Sequence, residues 1–153
     1  MLNLDAILDT SMEEVQEAPN YVVPENGIYV LRVANTEAKT NKSKEEGKED
    51  YVTLHHEYEI LEVIEQEGLP IAPGSLFGDR WMFQEKGLEY FKTRTLDIAE
   101  ANGEDRTEIG RLKLSEMLQG VKDMTFKCVI AKSPRSDDPT RFNTRISNIC
   151  KAE

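Results

Sequence analysis

The groups able to do chemistry in this chain are few, and their spacing limits what they can do. His55 and His56 are adjacent and are the two histidines of the sequence. Neighbouring residues on a strand point to opposite faces, so the pair cannot chelate one metal or act as a dyad. His56 falls on the register that faces a core and reads as a packed, hydrogen-bonded ring. His55 falls on the outer register, within reach of a ligand. Cys128 and Cys150 are far apart and belong to no CxxC, which argues for free thiols in a reducing compartment rather than zinc. The run Glu57, Glu59, Glu62, Glu65, Glu67 reads as a solvated face. Phosphate-loop, HExxH, GxSxG and dinucleotide-loop patterns do not occur. The expectation is a protein that is not an enzyme, with no catalytic residue, no metal and no cofactor.

What remains is suited to binding. Lys39, Lys42, Lys44 and Lys48 lie in the stretch Lys39–Asp50, which contains no apolar residue. A second loop, Ser133–Arg141, carries Arg135 and Arg141, with Arg145 just beyond it. Tyr51, His55, Arg80, Trp81 and Phe83 are expected on a face between these loops. Cationic side chains neutralise phosphates and release counterions. Flat rings stack on bases without reading sequence, worth about 1–3 kcal/mol per base. The bland readings stand beside this. The lysines alternate with Glu45, Glu46 and Glu49, as a solvated loop tip would, and Trp81 and Phe83 are large enough to be core.

The charge balance sets a second constraint. The 153 residues carry a formal charge of −10, which by itself repels phosphate. The distribution is uneven: Asp5, Asp9, Glu13, Glu14, Glu17 and Glu25 supply six of the ten excess negatives, and residues 1–26 hold no Lys or Arg. From Lys127 to Arg145 five basic residues face only Asp137 and Asp138. A local cationic surface is compatible with an acidic whole.

The elements that must position these groups follow from hydrophobic period. Residues 1–26 read as an acidic arm, with Leu4, Ile7, Leu8, Met12 and Val15 at helical spacing. This is either a helix packed on the domain or a segment that docks on a partner or on the protein's own cationic groove. Strands are expected at Gly27–Lys39, Tyr51–Glu65, Leu76–Phe83, Met124–Lys132 and Arg141–Cys150. A helix from Glu85 carries Leu88, Phe91, Leu96, Ile98 and Ala99 and is capped at Asn102-Gly103; a shorter one spans Leu112–Leu118. Apolar residues on both faces of the first strand suggest a central position. The predicted class is mainly β: a five-stranded OB-like Greek-key barrel over residues 27–153, with helices inserted between strands 3 and 4. An open α+β sandwich is the second reading.

Several segments give the chain a resemblance to a family. They are Gly27-Ile28-Tyr29-Val30-Leu31-Arg32-Val33 before a Lys-rich loop, the Tyr51–Val63 strand with Glu-Ile-Leu-Glu, Leu118-Gln119-Gly120 before a late strand, and Arg141-Phe142-Asn143. In these the chain resembles phage-encoded OB-fold single-stranded DNA-binding proteins that accompany replication and recombination genes. The resemblance implies non-sequence-specific binding of single-stranded DNA in the host-cell cytoplasm. It also implies a replication or recombination partner, here through residues 1–19 because the chain ends Ile149-Cys150-Lys151-Ala152-Glu153 without an acidic tail. Homo-oligomers are allowed. The start Met1-Leu2-Asn3-Leu4-Asp5 lacks the basic region of a secretory signal, and no apolar run has the length of a membrane span. Two alternatives follow from the charge and size: an acidic DNA mimic that inhibits a basic enzyme, and a virion or assembly component.

Overall fold

The computed structural model describes residues 3–13, 18 and 20–152. The element order is α1 (Leu4–Leu8), β1 (Gly27–Asn41), β2 (Tyr51–Gln66), β3 (Leu76–Met82), α2 (Glu85–Ala101), α3 (Arg106–Ile109), α4 (Leu114–Val121), β4 (Thr125–Pro134) and β5 (Phe142–Cys150). The strands form one antiparallel sheet in the order β3-β2-β1-β4-β5, with β1 in the centre. Three helices lie between β3 and β4, where the sequence pattern predicts two. None of the helices among the described residues is long and apolar enough to cross a membrane.

Closure is where expectation and structure part. The sheet is open: β3 and β5 are its edges, and no ladder joins them among the described residues. Two features stand in place of a ladder. The segment Asn20–Val22 occupies the start of the β3 edge, where Leu76 N–H donates to Asn20 O at 2.8 Å and Val22 N–H donates to Leu76 O at 2.8 Å. Farther along, Arg94 of α2 spans the gap. Its guanidinium pairs with the Asp79 carboxylate on β3 and donates to the Ile146 carbonyl on β5 at 3.2 Å.

Three bulges shape the centre of the sheet. The β1–β2 register skips Leu61 and Ile64 on β2 and Ala34 on β1. Each unpaired residue bends its strand and increases the twist. The bulge at Ala34 also resets which side faces inward. Tyr29, Leu31 and Val33 are buried before it; after it Thr36 turns in and donates to Leu118 O at 2.5 Å. The β1–β4 ladder stops at Arg32. From there the backbone of Val33 is bonded to Met124 O and Asp123 N–H, at 2.9 and 2.8 Å.

On β2 the buried residues Leu54, His56, Tyr58 and Ile60 alternate with Tyr51, His55, Glu57 and Glu59, which are half-buried. Leu54, His56 and Tyr58 therefore face the helices. α2 meets them with Phe91, Thr95 and Ile98, spaced by four and three along one face. The start of α2 lies so close to the end of β3 that a Cβ on Gly87 would overlap the Met82 carbonyl. At the other end Asn102 caps the helix, followed by Gly103 at φ +84°; the Asn102 amide donates to Ile98 O and Thr125 O. The helix outside the sequence pattern is α3, started by Asp105, which accepts from Thr107 N–H and Glu108 N–H.

Both cysteines are free. Cys128 is buried, and burial pushes its thiol up to about 12. Cys150 is exposed and aligned with Lys127 rather than with Cys128. On β5, Ile146 and Ile149 are three apart yet both reach the core. A positive φ of 52° at Asn148 absorbs the odd residue, a conformation Asn adopts more readily than most.

The interior also holds a polar knot. Tyr58 OH donates to Asp79 at 2.6 Å, beside the Asp79–Arg94 pair. His56 Nε2 meets Thr95 Oγ1 at 2.9 Å, while its Nδ1 has no partner. Burial, with Arg94 nearby, lowers the His56 pKa from 6.5 to about 3. The folded protein therefore keeps this ring neutral where the unfolded chain would protonate it. Its contribution to stability is fully present above about 6.5 and is lost as pH falls towards about 3.

Two outcomes follow. Gly87→Ala forces the helix away from Met82 and lowers stability by roughly 2 kcal/mol or more, read as a lower melting temperature. Between pH 7 and pH 5 the His56 term costs about 2 kcal/mol of unfolding free energy. In His56→Gln that component of the urea-midpoint shift disappears.

Candidate nucleic-acid interface

The outer face of the β1–β2–β3 ribbon gathers Lys39, Tyr51, His55 and Arg80 from among the residues singled out in the sequence. Strand register places them in rows: Asn41 beside Tyr51; Lys39, Thr53 and Met82; Glu37, His55 and Arg80; Asn35, Glu57 and Gly78. Residues directly opposite on antiparallel strands stand about 4.5–5.5 Å apart at Cβ, near enough to act on one ligand.

The middle of this face is ordered by hydrogen bonds. Asn41 Nδ2 donates to Thr53 Oγ1 at 2.8 Å, and Thr53 Oγ1 lies 2.7 Å from His55 Nε2. Arg80 Nη2 approaches Tyr51 OH at 3.5 Å. Partial burial lowers the His55 pKa; Glu37 opposes the shift, while Arg80 and Lys39 reinforce it. A neutral, oriented imidazole results. Tyr21 reaches the same face from the segment that caps β3, donating its hydroxyl to Glu57 at 3.0 Å. Tyr21, Asn35, Glu37, His55, Glu57 and Arg80 line a cleft of about 240 Å³.

The cations divide into two groups. Among the described residues no carboxylate lies within ion-pair distance of Lys39, Lys42, Lys44, Arg80 or Arg145. Lys48 is paired with Glu45 at 2.7 Å, and Arg135 makes a two-pronged contact with Asp137 at 3.0 and 2.8 Å. Arg141 stands 3.8 Å from Asp138. The side-chain hydrogen bond from Arg135 holds Asp137 below the usual carboxylate range, and bonds from Thr140 do the same for Asp138. Two of the loop arginines are thus already partnered by acids of their own loop.

Two expectations need correction. Trp81 does not share the face of Arg80. Adjacent strand residues point oppositely, and Trp81 lies on the helix side, with ring centroids 5.2 Å from His56 and 5.6 Å from Phe91. Phe83 lies past the end of β3 and is 53% exposed, so it is not core. The two basic loops lie toward opposite ends of β1. The Lys-rich hairpin leaves β1 at Asn41, whereas β4 runs toward the Ser133–Arg141 loop past Gly27. They are separated by roughly 45 Å of strand contour at ~3.3 Å per residue.

The arm also differs from its packed-helix reading. Asn3 accepts from Asp5 N–H and Ala6 N–H to start α1, but Leu4, Ile7, Leu8 and Met12 are 66%, 50%, 73% and 69% exposed. Val15, Glu14 and Glu17 lie outside the described residues. Asn20–Asn26, by contrast, belongs to the body: Asn20 is bonded to Ser75 and Asn26 to Lys132 N–H.

Glu37, Asn35 and Tyr21 went unseen in the sequence. The alternation of β1 carried onward through residues 35, 37, 39 and 41 would have found the first two. Tyr21 depends on a contact between distant segments and leaves no local pattern. No protein-family model and no curated protein matches this chain.

The two aromatic faces separate in a mutational test. Trp81→Ala removes packing against His56 and Phe91 and lowers stability by about 2 kcal/mol, less than for a fully buried ring. Tyr51→Ala on the outer face leaves the melting temperature within about 0.5 kcal/mol of the parent in free-energy terms.

Proposed function

We propose that the outer face of the β1–β2–β3 ribbon binds single-stranded DNA, as part of phage-type replication or recombination in the host-cell cytoplasm. The observation that carries this is the grouping of Lys39, Tyr51, His55 and Arg80 on one face, continued by Lys42 and Lys44 on the hairpin. A neutral imidazole and a phenol supply stacking surfaces, and cations without acidic partners supply phosphate contacts. The strand order supports the finer architectural reading. A five-stranded Greek-key barrel with a helical insertion between strands 3 and 4 would have this order when parted between β3 and β5. In that fold the second and third strands and the first hairpin loop form the ligand face. The partner for residues 1–19 is a replication or recombination protein, and the exposed apolar side of α1 is the surface it would meet.

Labelled oligothymidine titrated at several salt concentrations tests the reading. Binding weakens with salt, with a logarithmic slope of about −0.7 for each phosphate neutralised. Replacing Lys39, Lys42 and Lys44 together by Ala flattens the slope by roughly 2. Replacing Arg135 and Arg141 flattens it less, because Asp137 and Asp138 already partner them. Absence of binding at low salt refutes the proposal and points to the acidic-mimic alternative.

A further inference from the structure

The row Glu37–His55–Arg80 has a feature that general phosphate binding does not use. An acidic acceptor and a guanidinium donor flank one imidazole on neighbouring strands. Neither has an ion-pair partner among the described residues. Glu57, the other carboxylate of the cleft, is occupied by the Tyr21 hydroxyl. The strands of Glu37 and Arg80 are two inter-strand spacings apart, roughly 9.6 Å. One purine laid over His55 fills that gap.

We infer that this cleft holds one base of the bound strand and prefers guanine, a reading that rests on the single-stranded DNA proposal above. Guanine offers N1–H and N2–H₂ as adjacent donors on one edge and O6 and N7 as acceptors on the other. Glu37 accepts from the first edge, and Arg80 donates to the second, the commonest arginine–base contact. The ring stacks on His55. Adenine would turn its N1 acceptor toward the carboxylate. Cytosine has an amino group for Glu37 but is too short to reach Arg80 as well. Thymine presents a single donor between two carbonyls. Lys39, one row along β1, is placed for the adjoining phosphate.

The test uses the full chain and four labelled oligothymidines, differing at one central position: thymine, guanine, hypoxanthine (no N2 amine) or 7-deazaguanine (no N7). The guanine oligomer is expected to bind about fivefold or more tightly than the all-thymine one. Hypoxanthine loses the N2-amine half of the Glu37 contact, and 7-deazaguanine the N7 half of the Arg80 contact. Glu37→Ala brings guanine and hypoxanthine together; Arg80→Ala does the same for guanine and 7-deazaguanine. Both substitutions are at exposed strand positions, and a melt checks that the fold is kept. Equal affinity for guanine and thymine oligomers overturns the base preference while leaving strand binding in place. A guanine–hypoxanthine difference that survives Glu37→Ala, or a guanine–7-deazaguanine difference that survives Arg80→Ala, overturns the site. Failure of all four oligomers to bind overturns both this inference and the function it rests on.

Discussion

One side chain holds the two ends of this sheet in relation to each other. Arg94 pairs with Asp79 on one edge strand and caps the Ile146 carbonyl on the other. Without a ladder between β3 and β5, the relation between those strands rests on this bridge and on α2, which carries it. The cost of burying the ions is offset only because each is further satisfied. Asp79 also accepts from Tyr58 OH, and Arg94 has a carbonyl as well as a carboxylate. Loss of one partner from such a pair typically costs about 3–5 kcal/mol, because the other charge is left buried. Burial raises the Asp79 pKa, against the lowering effects of Arg94 and the Tyr58 hydroxyl. The electrostatics of the interior and the shape of the sheet are therefore one problem.

The same clamp governs the outer face indirectly. Asp79 and Arg80 are consecutive, so the strand that offers Asp79 to the interior must offer Arg80 to solvent. His56 and His55 repeat the arrangement on β2. One of each pair faces the helices and the other faces the candidate site. Movement of β3 relative to α2 would thus alter the cleft as well as the core. Ion pairs leave the overall charge of −10 unchanged but fix where several of the acids lie. Glu59 and Asp123 bind Arg32, Glu25 binds Lys132, and Asp97 binds Arg106.

The strands were readable in the sequence wherever period two coincided with one buried face, as on β2 and β4. Phe126, Cys128 and Ile130 alternate inward as their spacing implies. The site was readable in composition and only partly in geometry. Tyr51, His55 and Arg80 obey strand parity, and parity also excluded Trp81 from their face. Lys-rich and Arg-rich loops were visible as sequence, but whether their cations are free depends on local pairing such as Arg135 with Asp137. The open edge was hidden for a different reason. Closure depends on how β3 and β5 meet across the residues from 83 to 141, and no local period records that distance. Bulges at Ala34, Leu61 and Ile64 were equally invisible, since each inserts one residue into an otherwise regular alternation.

Unpaired strand borders expose sequence to unwanted self-association, and here both are spoiled as templates. The stretch Asn20–Val22 covers the beginning of β3, and the next positions place Arg80 and a partly buried carboxylate along it. On β5 the left-handed turn of the backbone at Asn148 breaks the regular run of donors and acceptors. A neighbouring molecule that tried to extend the sheet would meet charge on one side and a broken ladder on the other. Both edges thus carry features that disfavour extension of the sheet by a neighbouring molecule.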